Sequence, residues 1–405
     1  MNAFTHASAI DKNRPSHEWI ESLRQRFPTE REIDRVLTRK MQRRAGPAYV
    51  PVTLEQLVTG TEALLRRELK SDFRIADANW LSGGASKLQM VFKLHWNQPG
   101  VGQTVTPMVL RMEPSESIVE TSRLREFQII QAMQGCVPVP PAYWVDAEGD
   151  YLPYPAIVYG FAEGVTKPST GSSGVTGLGT NLGPALRPVL GPQFVEHLAR
   201  IHRFDWQQAN LSAFDRPQAN STEAVLWQIN CWERIWEEDS NEDVPLIRLA
   251  MAWLRHHMPA VDRVSVVHGD YRTGNFLFTE HDQKISAWLD WELAHLGDRH
   301  EDLAWAFSPT FGHYAENGTD FLVGGLMTEA EFCDRYEQAS GLPIDPQRLT
   351  YYKVKNAYQI ANLAIATTYR VSRGGKTHQD ILVAWIMGAA YPAFEDLRKL
   401  LEKVL

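Results

Sequence analysis

The sequence predicts an α+β chain of two lobes: a small lobe built on antiparallel strands, and a larger, mostly helical lobe with one strand hairpin embedded in it. Three observations predict this. From about residue 74 the apolar period changes from helical to alternating, as in DANWLSGGASKLQMVFKLHW and TPMVLRMEP. After a stretch rich in Gly, Ser and Thr at 165–185, the period becomes helical again and stays so to the C-terminus. A single apolar, strand-like island at 264–289 interrupts those helices. With 405 residues the chain is long enough for two cores.

Taken in order, residues 1–60 read as a polar helical extension, with Ile33, Val36 and Leu37 at helical spacing before the Pro-punctuated link GPAYVPV. The small lobe with its hinge spans 61–164. An amphipathic helix over Thr53–Leu69, carried by Leu54, Leu57, Leu64 and Leu65, runs across the boundary between the extension and this lobe. The alternating strands follow, then a helix over Arg123–Met133 with Phe127, Ile130 and Met133 on one face. VPVPPAYWVD and PYPAIVYGF read as two more strands, the second running on to Gly164. The low-complexity segment 165–185 reads as a loop, either a lid or a connector. The helical lobe fills 186–405, with helices over Phe194–His202, Thr222–Glu238 and Val244–His257 and a long set from Glu329 to Leu401.

Composition narrows the function. A formal charge of −8 argues against a general binder of nucleic acid or anionic membrane, either of which needs a basic face. The first fifty residues, with ten Lys/Arg against six Asp/Glu, read as a solvated helical extension or as a phosphate- or lipid-binding arm. Three cysteines far apart in sequence (Cys136, Cys231 and Cys333) give no disulfide framework and no metal-binding pair, so a reducing cytoplasm is the expected compartment. The N-terminus lacks the apolar core of a signal peptide, and no apolar run has the length of a membrane span.

The chemistry lies in the island VSVVHGDYRTGNFLFTEHDQKISAWLDWE. Val264–Val267 is a short strand, Phe276–Phe278 and Ile285–Leu289 form a hairpin turned at 280–283, and HGDYRTGN is the loop between. Asp270 and Asn275 therefore share one loop, and Asp290 leaves the hairpin beside it. Phosphoryl transfer needs such a set. Mg²⁺ prefers oxygen and takes only one or two protein carboxylates, while a separate carboxylate must accept the hydroxyl proton. Asp270 suits the base role, and Asn275 and Asp290 suit the metal. Glu292 is placed to bind metal directly, through water, or only to accept a hydrogen bond behind the ligands. Taken singly, Asp290 and Asn275 also fit ordinary turn and cap positions. His268 and Asp302 read as structural, the first supporting the loop and the second bonding its backbone. Asp298 reads as the residue that opens the helix after Gly297.

His268-Gly269-Asp270 with Asn275, then Asp290-Trp291-Glu292, Gly297-Asp298 and Asp302-Leu303-Ala304, resemble the aminoglycoside phosphotransferase and choline kinase-like family over roughly residues 75–390. The match is closest to the branch with GDYRxGNxLF and DWELAxxGD, which includes the kinase-like modules fused to certain acyl-CoA dehydrogenases. The resemblance implies a bilobal protein kinase-like fold and an ATP- and Mg²⁺-dependent transfer of phosphate to a small molecule's hydroxyl. It makes Asp270 the base and Asn275 and Asp290 the Mg²⁺ ligands.

In the small lobe, Gly83, Gly84 and Ser86 lie between two strand-like runs, where small residues let backbone N–H groups approach phosphates. Arg111 points out of the apolar run MVLRM, at a place where kinase-like folds usually have Lys. An Arg there offers a fork instead of a point charge. Glu126 is its expected partner, with Glu120 as competitor. The segment Tyr159-Gly160-Phe161 reads as the interlobe hinge that adenine meets through main-chain groups, and Ile157 before it as core.

The acceptor is less defined. The branch suggests a hydroxyacyl-CoA, while an aminoglycoside or other antibiotic would follow from the wider family. Arg370, Arg373 and Lys376 suit either an anionic CoA end or a solvated helix terminus; Trp227, Trp232, Trp236 and Trp253 read as core. A catalytically inactive kinase-fold binding module is the alternative of another class, and the intact Asp270, Asn275 and Asp290 argue against it. A hydrolase or transferase using the same carboxylates with a different metal is a third reading, and the absence of a His-rich ligand set argues against zinc. Nothing in the sequence sets an oligomeric state.

Overall fold

The structure, a computed structural model, describes residues 10–81, 87–169, 179–377, 383–384 and 387–405. The small lobe is a five-stranded antiparallel sheet of β1 (Arg74–Trp80), β2 (Leu88–Gln98), β3 (Gly102–Met112), β4 (Ala142–Asp146) and β5 (Ala156–Gly160), in the order β1-β2-β3-β5-β4. Alternation explains it. On β2, Leu88, Met90, Phe92, Leu94 and Trp96 are buried while the residues between them are more exposed. Helix α3 (Leu54–Glu68) lays Leu57, Leu64 and Leu65 on this face and starts at a capping box between Thr53 and Gln56. It comes so close that a Cβ at Gly60 would lie 2.7 Å from the carbonyl oxygen of Tyr151. Helix α4 (Arg123–Met133), capped by Ser122, follows β3.

Strand β5 stops at Gly160, four residues before the expected end at Gly164. The N–H groups of Gly160 and Phe161 turn to the carbonyls of Pro141 and Pro107, and the chain leaves the sheet. It then crosses to the large lobe, where Val165 pairs with Phe278 and the hydroxyl of Ser286 donates to the Glu163 carbonyl. The hinge is thereby tied to the embedded hairpin.

In the large lobe, α5 (Gly183–Arg203) begins eleven residues before the helix expected from Phe194, inside the segment read as loop. Pro188 and Pro192 stand within it and mask its periodicity, each removing one helical N–H. Helices α6 (Glu223–Asp239) and α7 (Pro245–His256) match expectation within two residues. The island folds as β6 (Ser265–Val267), β7 (Phe276–Thr279) and β8 (Lys284–Trp288), and β9 (His295–Gly297), not read from the sequence, pairs with β6. Beneath the hairpin, Tyr271 stacks on Trp288 with ring centroids 4.1 Å apart and donates to the Phe194 carbonyl at 2.6 Å. Helix α8 (His300–Ala306) follows, then α9 (Glu329–Ser340), α10 (Pro346–Asn362), a π-turn at Leu363–Thr367, α11 (Thr368–Gly374) and α12 (Ala390–Val404).

The N-terminal helices α1 (His17–Arg26) and α2 (Arg31–Arg43) are packed on this body and are not a free basic arm. Lys40 meets Glu238 at 2.7 Å, Asp34 meets Arg234 at 2.6 Å, and Glu30 meets Arg125 of α4 at 2.7 Å. Arg370 and Lys376 are likewise interior. Arg370 donates to the Asp239 carbonyl, and Lys376 to the carbonyls of Arg43 and Arg44, so neither forms a solvated terminus or a surface for CoA. Trp232, Trp236 and Trp253 are core, and Trp227 is only partly covered. Among the described residues no helix is long and apolar enough to cross a membrane.

Candidate active site

The loop between β6 and β7 is set by the residues around it. Asp302 of α8, wholly buried, accepts the main-chain N–H of His268 at 2.7 Å and of Gly269 at 2.9 Å. Gly269 has φ +82°, and a Cβ there would meet Leu293 at 2.7–2.8 Å, so only glycine fits. His268 accepts the N–H of Asp270 through Nδ1 (3.2 Å), which leaves Nε2–H to donate to the Leu289 carbonyl (3.0 Å). Burial holds its pKa down and keeps it neutral. The Leu289 N–H in turn donates to the Asn275 carbonyl at 2.8 Å, which locks the exit of the hairpin to the loop. Asp298 accepts from the backbone and ring of His300, at the mouth of α8.

Asp270 receives three donors. Trp305 Nε1 reaches its Oδ1 at 2.7 Å, Arg272 Nε the same oxygen at 3.0 Å, and Asn275 Nδ2 reaches Oδ2 at 2.6 Å. Burial pushes its pKa up, Arg272 opposes this, and the charge of Asp290 adds to it. The side chain keeps 17% of its exposure, so an incoming hydroxyl has access to it. Asn275 uses its nitrogen on Asp270, leaving Oδ1 as its oxygen for a cation.

Asp290 sits in the left-handed region at φ +64°. Its Oδ1 accepts from Arg111 Nη2 at 2.6 Å, and Arg111 Nη1 donates to Glu126 of α4 at 2.8 Å. Arg111 of β3 thus joins the two lobes. Burial pushes the Asp290 carboxyl up, but Arg111 overrides it and brings the pKa to about 2. Glu120 is engaged elsewhere, on the N–H of Ser117. The same cluster holds two cations that sequence reasoning did not single out. Lys87 meets Glu113 at 2.7 Å and Glu292 at 3.3 Å; Arg123 meets Glu113 at 2.9 Å, Glu292 at 3.0 Å, and also Glu126. The signal for Lys87 was its place directly after the Gly/Ser run; nothing in the local sequence marked Arg123.

Glu292 therefore touches Lys87, Arg111 and Arg123, and is a partner for cations more than a free metal ligand. Among the described residues no three His, Cys, Asp or Glu side chains are grouped to hold a metal. One amide oxygen and one carboxylate at the mouth, Asn275 and Asp290, do suit Mg²⁺, which keeps most of its positions for phosphate and water. Tyr159, Gly160 and Phe161 lie at the end of β5. Burial pushes the Tyr159 phenol up to about 12, and Gly160 packs so closely on Pro141 that a Cβ would lie 2.9 Å away. Phe161 is exposed. Gly83, Gly84 and Ser86 lie outside the described residues.

The model of the phosphotransferase enzyme family matches residues 81–349, a span that includes β2–β9 and the whole candidate site. The chain belongs to that family. Among curated relatives of this phosphotransferase, acyl-CoA dehydrogenase family member 10 of Mus musculus is 25% identical over 248 residues, 58% of this chain and 22% of that protein. The probable acyl-CoA dehydrogenase IBR3 of Arabidopsis thaliana is 24% identical over 315 residues, 72% of this chain and 35% of that one. The chain thus spans between about a fifth and about a third of the length of these relatives. A solved structure from Ralstonia eutropha, a candidate aminoglycoside phosphotransferase, aligns with TM-score 0.60 and 24% identity over 85% of this chain and 98% of that one. This phosphotransferase therefore has the bilobal protein kinase-like fold, α+β, with the antiparallel sheet in its small lobe.

Proposed function

We propose that this phosphotransferase transfers the γ-phosphoryl group of ATP to a hydroxyl of a small molecule, with Asp270 as the base. The observation that carries this is the state of Asp270: a partly exposed carboxylate, fixed by three donors and flanked by Asn275 and Asp290. Proton acceptance needs an oriented oxygen with a free lone pair. Oδ1 already takes Trp305 and Arg272, so Oδ2, bound at close range only by Asn275, receives the substrate hydroxyl. Asn275 and Asp290 would hold Mg²⁺, which when bound neutralises phosphate charge and orients the phosphates. Arg111, fixed by Glu126, meets the α/β-phosphates with its fork, and the segment at Tyr159–Phe161 meets adenine. The N–H groups of Gly160 and Phe161 are already bonded within the lobe, so the adenine contact falls to main-chain carbonyls there and to the residues after them.

For the acceptor, the relatives named as acyl-CoA dehydrogenase family members support a hydroxyacyl-CoA phosphorylated on its acyl hydroxyl. A polycationic aminoglycoside is favoured less, since a guanidinium lies against the base. The test is ADP release with Mg·ATP against 3- and 4-hydroxyacyl-CoAs, aminoglycosides, macrolides, choline and homoserine. Stimulation by the hydroxyacyl-CoAs alone is expected. Stimulation by aminoglycosides alone overturns the acceptor assignment, and absence of nucleotide binding overturns the kinase reading in favour of an inactive binding module.

A further inference from the structure

Residues 10–46 precede the span shared with the family, and no role above uses them, yet they carry a row of buried charges that reach both lobes. One side faces the large lobe. Arg234 of α6 donates to Asp34 at 2.6 Å and to Thr38 at 3.0 Å, Asn230 donates to the Pro28 carbonyl at 2.6 Å, and Lys40 and Arg44 close on Glu238 and Asp239. The other side faces the first turn of α4. Glu30, the residue that opens α2, accepts from both terminal nitrogens of Arg125, at 2.7 and 3.1 Å. Glu32 accepts from the hydroxyl of Ser122, which itself caps α4. Glu30 and Arg125 are only 2% and 3% exposed. Arg125 has two further ties: its Nη2 donates at 3.2 Å to the carbonyl of Ala294, in the segment that follows Asp290, and its guanidinium carbon lies 4.1 Å from the ring centroid of Phe214.

That turn of α4 has a second face. Arg123 and Glu126 leave it for the buried charge cluster, where Glu126 holds Arg111 at 2.8 Å. Two carboxylates anchored on the large lobe thus grip the turn that aims the Arg111 fork. Resting on the kinase reading, we infer that Glu30 and Glu32 are positioning residues for the nucleotide site: they hold α4 where Glu126 sets Arg111 towards the phosphates. The tolerance is small. A hydrogen bond of 2.8 Å is lost when its partners part by about 1 Å, so a slight drift of α4 leaves the fork to Asp290 and Glu292 alone. Loss of the Glu30 charge is enough to cause that drift, because it leaves the buried Arg125 uncompensated at the base of the helix. A merely structural extension would stabilise the chain and leave nucleotide affinity alone.

The two roles separate on a binding measurement that needs no acceptor: calorimetry of Mg·ADP on the full chain, with thermal melting to confirm that each variant folds. Glu30→Gln should weaken Mg·ADP about tenfold, within the usual range of coupling between sites. In an Arg111→Lys background the same substitution should cost nothing further, since Glu30 acts through that fork. Asp34→Asn breaks a pair on the opposite side of α2; it should melt several degrees lower while Mg·ADP affinity stays within about twofold. Glu32→Ala removes the contact with Ser122, should weaken Mg·ADP about threefold, and carries the test if Glu30→Gln does not fold. Wild-type affinity in folded Glu30→Gln overturns the inference. So does a loss that adds in full to that of Arg111→Lys, or an equal loss in Asp34→Asn, which would make the extension a stabilising element only. If the wild-type chain binds no Mg·ADP, the kinase reading fails and this inference with it.

Discussion

Asp270 and Asp290 face the same mouth, and the structure holds them by different physics. Asp270 sits on a loop fastened by backbone N–H groups to Asp302, by a neutral His268, and by Trp305 and Asn275, with one cation among its partners. Asp290 ends in a buried knot of charge in which Lys87, Arg111 and Arg123 are shared among Glu113, Glu126, Glu292 and Asp290 itself. The first arrangement suits a group that must keep one orientation. The second is a set of ion pairs in which each cation already has more than one neighbour of opposite sign. Loss of a loop contact is therefore expected to act on turnover, and loss of a cation in the knot on nucleotide affinity.

The largest expected effect on this contrast is at Asp302. Asp302→Asn presents an amide nitrogen where two backbone donors and His202 converge, and should lower stability by roughly 3 kcal/mol. Displacement of Asp270 should lower turnover about 10²-fold while Mg·ATP affinity changes little. Denaturant melts and ADP release check both; a variant that loses mainly nucleotide affinity breaks the contrast. Next, Arg111→Lys cannot reach Glu126 and Asp290 at once with a fork, and an increase of about tenfold in KM for ATP with a smaller change in kcat is expected. An equal fall in kcat would show that the knot also positions the reacting groups.

The smallest effect sharpens the energetic side. Burial alone would push the Glu113 carboxyl up, but Arg123 and Lys87 hold it down to about 2. A depressed folded-state pKa stabilises above the unfolded value near 4.5 and loses that contribution as pH falls towards 2. Glu113→Gln should thus melt below wild type at neutral pH, by a few degrees, with the gap closing between about pH 4.5 and 2. A gap that persists at pH 2 would assign the loss to packing.

The contrast also explains what was legible in the sequence. The loop and hairpin could be read because their defining contacts are local: Asp270 and Asn275 are five residues apart, and period-two alternation marks the strands on either side. The knot is long-range, with Arg111 and Asp290 separated by 179 positions, so spacing could suggest Glu126 but not Lys87 or Arg123. The start of α5 was hidden by its prolines, and β9 by being three residues long. Arg370 and Lys376 looked like surface charge because nothing local reveals that α2 and α6 cover them.

The central claim, that Asp270 receives the hydroxyl proton, is tested most directly by measuring ADP release and Mg·ATP affinity side by side in wild type and Asp270→Asn. The account predicts turnover reduced at least about 10³-fold with affinity within about threefold. Turnover near wild type in the variant would contradict it and place the base elsewhere.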